Sequence, residues 1–171
     1  MTEKGVDLVK REVLESFRED FLWGASSAAY QIEGAYDKDG KGKSVWDVFS
    51  KKSGTTYKNT NGDVAVDHYN RYKEDVALMA EMGFNEFRFS IAWPRIIPSG
   101  DGEVNEVAVK HYHDVIDECH KYGIEPVITL SHFELPYHLV TEYGGFRNRK
   151  LIEFFERFAR ACFERYKDKV K

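Results

Sequence analysis

The chain has 171 residues, 42% hydrophobic and 32% charged, with 25 Lys and Arg against 29 Asp and Glu for a net charge of −4. That composition is ordinary for a folded protein with one sizeable core and argues against disorder. Basic and acidic residues are interspersed rather than clustered, which excludes a basic nucleic-acid footprint.

Residues 1–20, MTEKGVDLVKREVLESFRED, carry charges throughout and contain no apolar run long enough for a signal peptide or a membrane span. The expectation is a cytoplasmic protein with no membrane partner. Residues 1–16 read as an amino-terminal extension, and an amphipathic helix and a frayed arm are both open for it. Cys119 and Cys162 fall on different expected helices without CxxC spacing. Two buried or half-buried thiols are therefore expected, rather than a disulfide or a metal site.

Three units of strand followed by helix can be read, the alternation of a parallel α/β sheet. The first strand is expected at 21–25, followed by a polar connection over 26–63 with a short helix at 44–49; a connection that long is usually functional or disordered. The first helix is expected at 67–82, where Tyr69, Tyr72, Val76 and Met79 repeat at helical spacing and Gly83 stands where the helix should stop. The second strand, 85–91, alternates Phe87, Phe89 and Ile91 against Arg88 and Ser90, so one set should pack under helices and the other should face away from them. The second helix, 105–122, has Asn105 as candidate cap and Ala108, Tyr112, Val115, Cys119 and Tyr122 on one face. The third strand, 124–130, is a continuous apolar run suited to burial on both faces. The third helix follows Asn148 with a core stripe of Leu151, Phe154, Phe155, Phe158, Cys162 and Tyr166.

Four segments carry chemistry in a fixed order: FLWGASSAAYQIEGA at 21–35, FRFSIAWPRI at 87–96, TLSHFELPYHL at 129–139, and YGGFRNRK at 143–150 followed by CFERYKDKVK at 162–171. Together they resemble glycoside hydrolase family 1, the β-glucosidases and 6-phospho-β-glucosidases. The resemblance runs from about residue 17 to 171 and implies a (β/α)8 TIM barrel, represented here by roughly its first three βα units. Such a barrel takes about 250 residues. In the family pattern an Asn-Glu pair supplying the acid/base follows the next strand, and the nucleophilic Glu lies further on. The resemblance thus implies that both lie beyond Lys171, that 17–171 is the amino-terminal portion of a single truncated domain, and that this portion is inactive alone.

Barrel active sites gather at the carboxyl ends of the strands, where Gln31, the segment from Arg88 to Trp93, and His132 should fall. A neutral amide donates and accepts at once, which suits adjacent sugar hydroxyls. The resemblance assigns Gln31 and His132 to hold the sugar. The plain alternatives are a loop Gln that ties its own backbone and a structural His. Arg88 is expected to point into the barrel, where a buried guanidinium needs a carboxylate partner; the resemblance implies that it pairs with the nucleophilic Glu and keeps it ionised. Trp93, Trp23 and Tyr30 are candidate faces for pyranose rings, although aromatic residues beside strands are more often core.

Retaining glycosidases use two carboxyl groups about 5 to 5.5 Å apart. Glu33, Glu86 and Glu134 are present, but none matches the acid/base or nucleophile position. Glu33 and Glu134 read as groups framing the site, and Glu86 as an exposed charge at a strand start. The stretch DGKGKS at 39–44 fails as a phosphate loop, since Asp37 stands where Gly is needed and no strand directly precedes it. The pair His111 and His113 faces two ways on a helix, so it is not a metal site.

Phe133, Glu134 and His138 resemble the 6-phospho-β-glucosidases, where many plain β-glucosidases have Trp, Asp and Gln. Arg18 in place of a frequent Pro and Phe146 in place of a frequent Trp are mild departures. The implied reaction is retaining hydrolysis of a β-glucoside or 6-phospho-β-glucoside through a covalent glycosyl intermediate, with no metal or organic cofactor. Plain β-glucosidase or β-galactosidase activity, a non-catalytic sugar binder, and a partial barrel that self-associates through exposed strand edges are the alternatives.

Overall fold

The computed structural model describes residues 16–170. The extension read over 1–16 lies, apart from Ser16, outside the described residues. Three parallel strands, β1 (Gly24–Ser26), β2 (Glu86–Ser90) and β3 (Glu125–Thr129), form one sheet in that order. Ser26, Arg88 and Val127 share one register row, and Ser90 pairs with Thr129.

Short helices α1 (Ala29–Ile32) and α2 (Val45–Phe49) and a 3-10 turn at Tyr57–Asn59 occupy the long first connection. Helix α3 (His68–Glu81) completes the first unit, α4 (Trp93–Ile96) and α5 (Glu106–Lys121) the second, and α6 (Tyr137–Tyr143), a 3-10 turn at Gly145–Arg147 and α7 (Lys150–Tyr166) the third. Asn105 caps α5 by accepting from the Val107 N–H. Gly83 and Gly123 follow α3 and α5 with φ of 83° and 70°, left-handed positions where a side chain would be strained.

The alternation of β2 sorts its residues as the pattern requires. Phe87, Phe89 and Ile91 are buried with Val76, Tyr112, Val115, Ile116, Phe158 and Cys162 in one core between sheet and helices. Both thiols are buried and free, and burial pushes each up to about 12.

Four expectations are corrected. The first strand begins at Gly24, not at 21, because the Asn85 side chain takes the ladder position: its Oδ1 accepts from the Trp23 N–H while its Nδ2 donates to the Phe21 carbonyl. Phe17, Phe21 and Trp23 instead form an exposed aromatic cluster with centroids 4.5 to 4.8 Å apart. The third strand is not buried on both faces: Val127 is 36% exposed, because it lies on the side of the sheet away from the helices and β3 is an edge among the described residues. Tyr122 and Phe155 leave their core stripes and are about 40% exposed, Tyr122 because it caps α5 outside helical geometry. Glu86 is half-buried rather than exposed, and burial raises its carboxyl despite the opposing charge of Arg88. Gly24 makes room for it, since a Cβ there would stand 2.3 Å from Glu86 Oε2.

No helix among the described residues is long and apolar enough to cross a membrane.

Candidate active site

Two stretches of connecting chain are tied together above the carboxyl ends of the strands. Val45 N–H donates to the Leu135 carbonyl and Tyr137 N–H to the Lys43 carbonyl, so residues 43–45 run against 135–137. The DGKGKS stretch is the approach to α2: Ser44 and Asp47 form a reciprocal capping box, and Lys41 pairs with Asp47 at 2.7 Å with both side chains buried.

Under this layer lies a buried polar cluster. Arg95, 1% exposed, donates from Nε to Glu33 Oε2 at 2.6 Å and from Nη2 to the Gly34 carbonyl at 2.9 Å. Tyr112 donates its hydroxyl hydrogen to Glu33 Oε1 at 2.7 Å and accepts from the Ala92 N–H at 2.9 Å. The Arg95 guanidinium lies 4.1 Å from the centre of the Tyr69 ring, which also stacks on the His111 ring at 3.9 Å. Burial alone would raise the Glu33 carboxyl, but the Arg95 charge and the Tyr112 hydroxyl outweigh it and hold the carboxyl below its usual range. Burial also pushes His111 down to about 4.

Glu134 is the contrasting carboxyl. It is 2% exposed, its Oε1 accepts from the Tyr30 N–H at 2.9 Å, and its Oε2 has no hydrogen-bond partner among the described residues. Burial pushes it up to about 7, the Tyr30 N–H opposing and the Glu33 charge adding to the rise. Both framing carboxylates are therefore engaged in structure rather than open to solvent.

Of the sequence-assigned residues, Gln31 and His132 follow the carboxyl ends of β1 and β3, and Arg88 sits in the middle of β2. Gln31 is exposed on α1, not on a loop, and α1 is joined through the Ala29 N–H to Ser90 Oγ at 2.6 Å. Arg88, two residues before Ser90, is exposed on the side of the sheet away from the helices; its Nε donates to Thr129 Oγ1 at 2.9 Å, and it is not the buried guanidinium expected. Its strand faces the helices with Phe87 and Phe89, which leaves Arg88 on the opposite face, where Ser90 is covered by α1 and Arg88 is not. His132 is exposed after β3, edge-on to Phe133 at 5.3 Å. His138 is exposed on α6, 3.3 Å from Asp101 Oδ2.

The candidate aromatic faces divide. Trp93 is core, 1% exposed and stacked on Phe158 at 5.2 Å. Tyr30 lies over Trp46 at 6.1 Å and its hydroxyl donates to Ser50 Oγ. Trp23 is 51% exposed, but it belongs to the aromatic cluster at the amino-terminal end of β1, away from the site. Among the described residues no group of three His, Cys, Asp or Glu side chains converges to hold a metal ion.

Residues 13–171 match the profile of Glycosyl hydrolase family 1. The chain belongs to glycosyl hydrolase family 1. Among the members of family 1 it is similar to the aryl-phospho-beta-D-glucosidase BglC of Bacillus subtilis, at 57% identity over 92% of this chain and 33% of that protein. It is also similar to beta-glucosidase 7 of Arabidopsis thaliana, at 52% identity over 91% of this chain and 30% of that protein. The crystal structure of the rice Os3BGlu6 beta-glucosidase superposes with a TM-score of 0.89 at 45% identity, over 91% of this chain and 32% of that one. The family 1 chain thus spans about a third of the length of these relatives, and its sheet is the first part of their TIM barrel.

Arg95 and Tyr112 escaped the residue-level reading of this family 1 site, and Ser90 entered it only as part of the segment from Arg88 to Trp93, without its bond to Ala29. The signal for Arg95 was present: a lone cation inside the apolar run IAWPRII has to be solvated by protein groups. Tyr112 and Ser90 carry no such mark, since a helix-face Tyr and a strand Ser are unremarkable until their partners are known.

Proposed function

We propose that this chain supplies the sugar-binding side of a retaining β-glucosidase-type hydrolase, and that the substrate is a 6-phospho-β-glucoside. The observation that carries the first part is the division of labour among polar groups at the strand ends. Gln31 and His132 just past the strand ends, and Arg88 within β2, are exposed, while Glu33 and Glu134 are buried and hydrogen-bonded to protein. Gln31 and His132 hydrogen-bond sugar hydroxyls, and Arg88 keeps the nucleophilic carboxylate ionised. One Glu attacks the anomeric carbon and a second acts first as acid and then as base, so the configuration is retained. Neither Glu is among the carboxylates of this chain, which by itself does not turn substrate over.

The phosphorylated substrate is supported by the Phe133, Glu134 and His138 pattern and by the 57% identity to a protein named as an aryl-phospho-beta-D-glucosidase. A cytoplasmic site suits such a substrate, because sugar phosphates made during uptake stay inside the cell. The test is side-by-side hydrolysis of a chromogenic β-glucoside and its 6-phosphate by the full-length gene product, with the 171-residue chain as control. Strong preference for the phosphorylated compound upholds the reading; preference for the plain glucoside makes the protein an ordinary β-glucosidase.

Self-association is a second reading for the chain alone. It is favoured by an apolar groove beside the β3 edge, lined by Ile91, Ile128, Leu130, Phe163 and Tyr166. Sedimentation of the 171-residue chain tests it, and a monomer at all concentrations would exclude it.

A further inference from the structure

We propose that Glu134 is a positioning residue for Gln31, acting through the backbone of the one-turn helix that carries it. The proposal rests on the reading of Gln31 as a sugar ligand.

Helix α1 has four residues, and its cap residue, Ala28, provides no side-chain hydrogen bond. A helix of that length leaves its first N–H groups without partners in its own backbone. Here they are met by side chains from two other strand ends. Ala29 N–H donates to Ser90 Oγ at 2.6 Å, at the end of β2, and Tyr30 N–H donates to Glu134 Oε1 at 2.9 Å, 104 positions further along the chain. Gln31 is the next residue, and its own N–H donates to the Ala28 carbonyl at 2.9 Å. Just after α1, Glu33 is clamped by Arg95 and Tyr112.

Glu134 is itself held for this task. Phe133 has a φ of 66°, a left-handed conformation that non-glycine residues adopt only under constraint, and the residue is 73% exposed. That turn leaves His132 exposed and Glu134 buried. One short segment therefore presents one assigned sugar ligand and fixes the helix that presents the other. An acceptor oxygen fixed at the Tyr30 N–H holds the helix in place, and a small displacement of a substrate-positioning residue is costly to turnover.

The test is a double-mutant cycle on the full-length gene product, with kcat/KM for the preferred chromogenic substrate as the readout. Glu134→Ala is expected to lower kcat/KM by about tenfold or more, and Glu134→Gln, which keeps an oxygen at the Tyr30 N–H, to stay within about threefold of wild type. In a Gln31→Ala background, Glu134→Ala should cost less than about threefold. Equal losses in the two backgrounds would overturn the proposal, since a residue that acts by general stability is indifferent to Gln31. If Glu134→Ala does not fold, Glu134→Asp serves in its place, its carboxylate one methylene short. If Gln31→Ala alone leaves kcat/KM unchanged, the sugar-ligand reading has failed and hydrogen exchange decides the rest. Faster exchange at the Tyr30 and Gln31 amides in Glu134→Ala, with α5 and α7 unchanged, upholds the positioning role. Unchanged exchange at those two amides overturns it.

Discussion

Glu33 and Arg95, 62 positions apart, form a 2.6 Å ion pair with side-chain exposures of 6% and 1%. Such a pair joins the segment after β1 to the segment after β2 and leaves neither charge exposed to water. Its energetic meaning is asymmetric: the pair adds little over a well-packed apolar substitute, but losing one member strands the other.

Arg95→Met is therefore expected to destabilise the protein by about 3 to 5 kcal/mol, since Glu33 is left buried with only Tyr112 to solvate it. Urea unfolding at neutral pH measures this. A loss below about 1 kcal/mol would mean that Glu33 escapes to solvent or takes up a proton at little cost.

Glu134 and His111 give stability opposite pH slopes. The folded Glu134 carboxyl, at about 7 against an ordinary 4.5, binds its proton more tightly than the unfolded chain does. Its contribution is complete below the ordinary value and is lost as pH rises through about 7, a change of about 3 kcal/mol. His111, at about 4 against an ordinary 6.5, is protonated more readily when unfolded. Its contribution is present above the ordinary value and is lost as pH falls through about 4. Between pH 5 and 8 the stability of Glu134→Gln should therefore rise relative to wild type. A pH-independent difference would show that the Glu134 carboxyl titrates normally.

Cys119 and Cys162 are buried and raised to about 12. The thiolate is the reactive form, so both should resist a water-soluble thiol reagent in the native protein and react once it is unfolded. Rapid native modification of Cys162 would indicate that α7 opens away from the sheet.

Gln31→Ala and His132→Ala, each at an exposed position, should leave the unfolding midpoint nearly unchanged while lowering kcat/KM of the full-length product by about tenfold to a thousandfold. Loss of stability without loss of activity would assign them structural work instead.

The elements that obey a period were legible in sequence. Helices α3 and α5 fall within a residue or two of their expected spans, because each carries an apolar stripe and is followed by a glycine, and α7 starts just after Asn148 as its stripe implies. The short helix expected at 44–49 is α2, and the structure shows that Ser44 caps it. Helices α1 and α4 were not, since four residues hold too little pattern and α1 is capped by side chains from distant strands.

The sequence by itself determined the order of the three strands and the long helices, most of the faces of those helices and of β2, and, through four motifs, the family. Only the tertiary structure decided which polar residues meet: Arg95 with Glu33, Tyr112 with both Glu33 and Ala92, and Glu134 with Tyr30. The physical reason is range. Periodicity and capping act over a few residues and leave a local trace, whereas a buried ion pair or a cap supplied from 104 positions away leaves one only as an isolated polar residue in an apolar run.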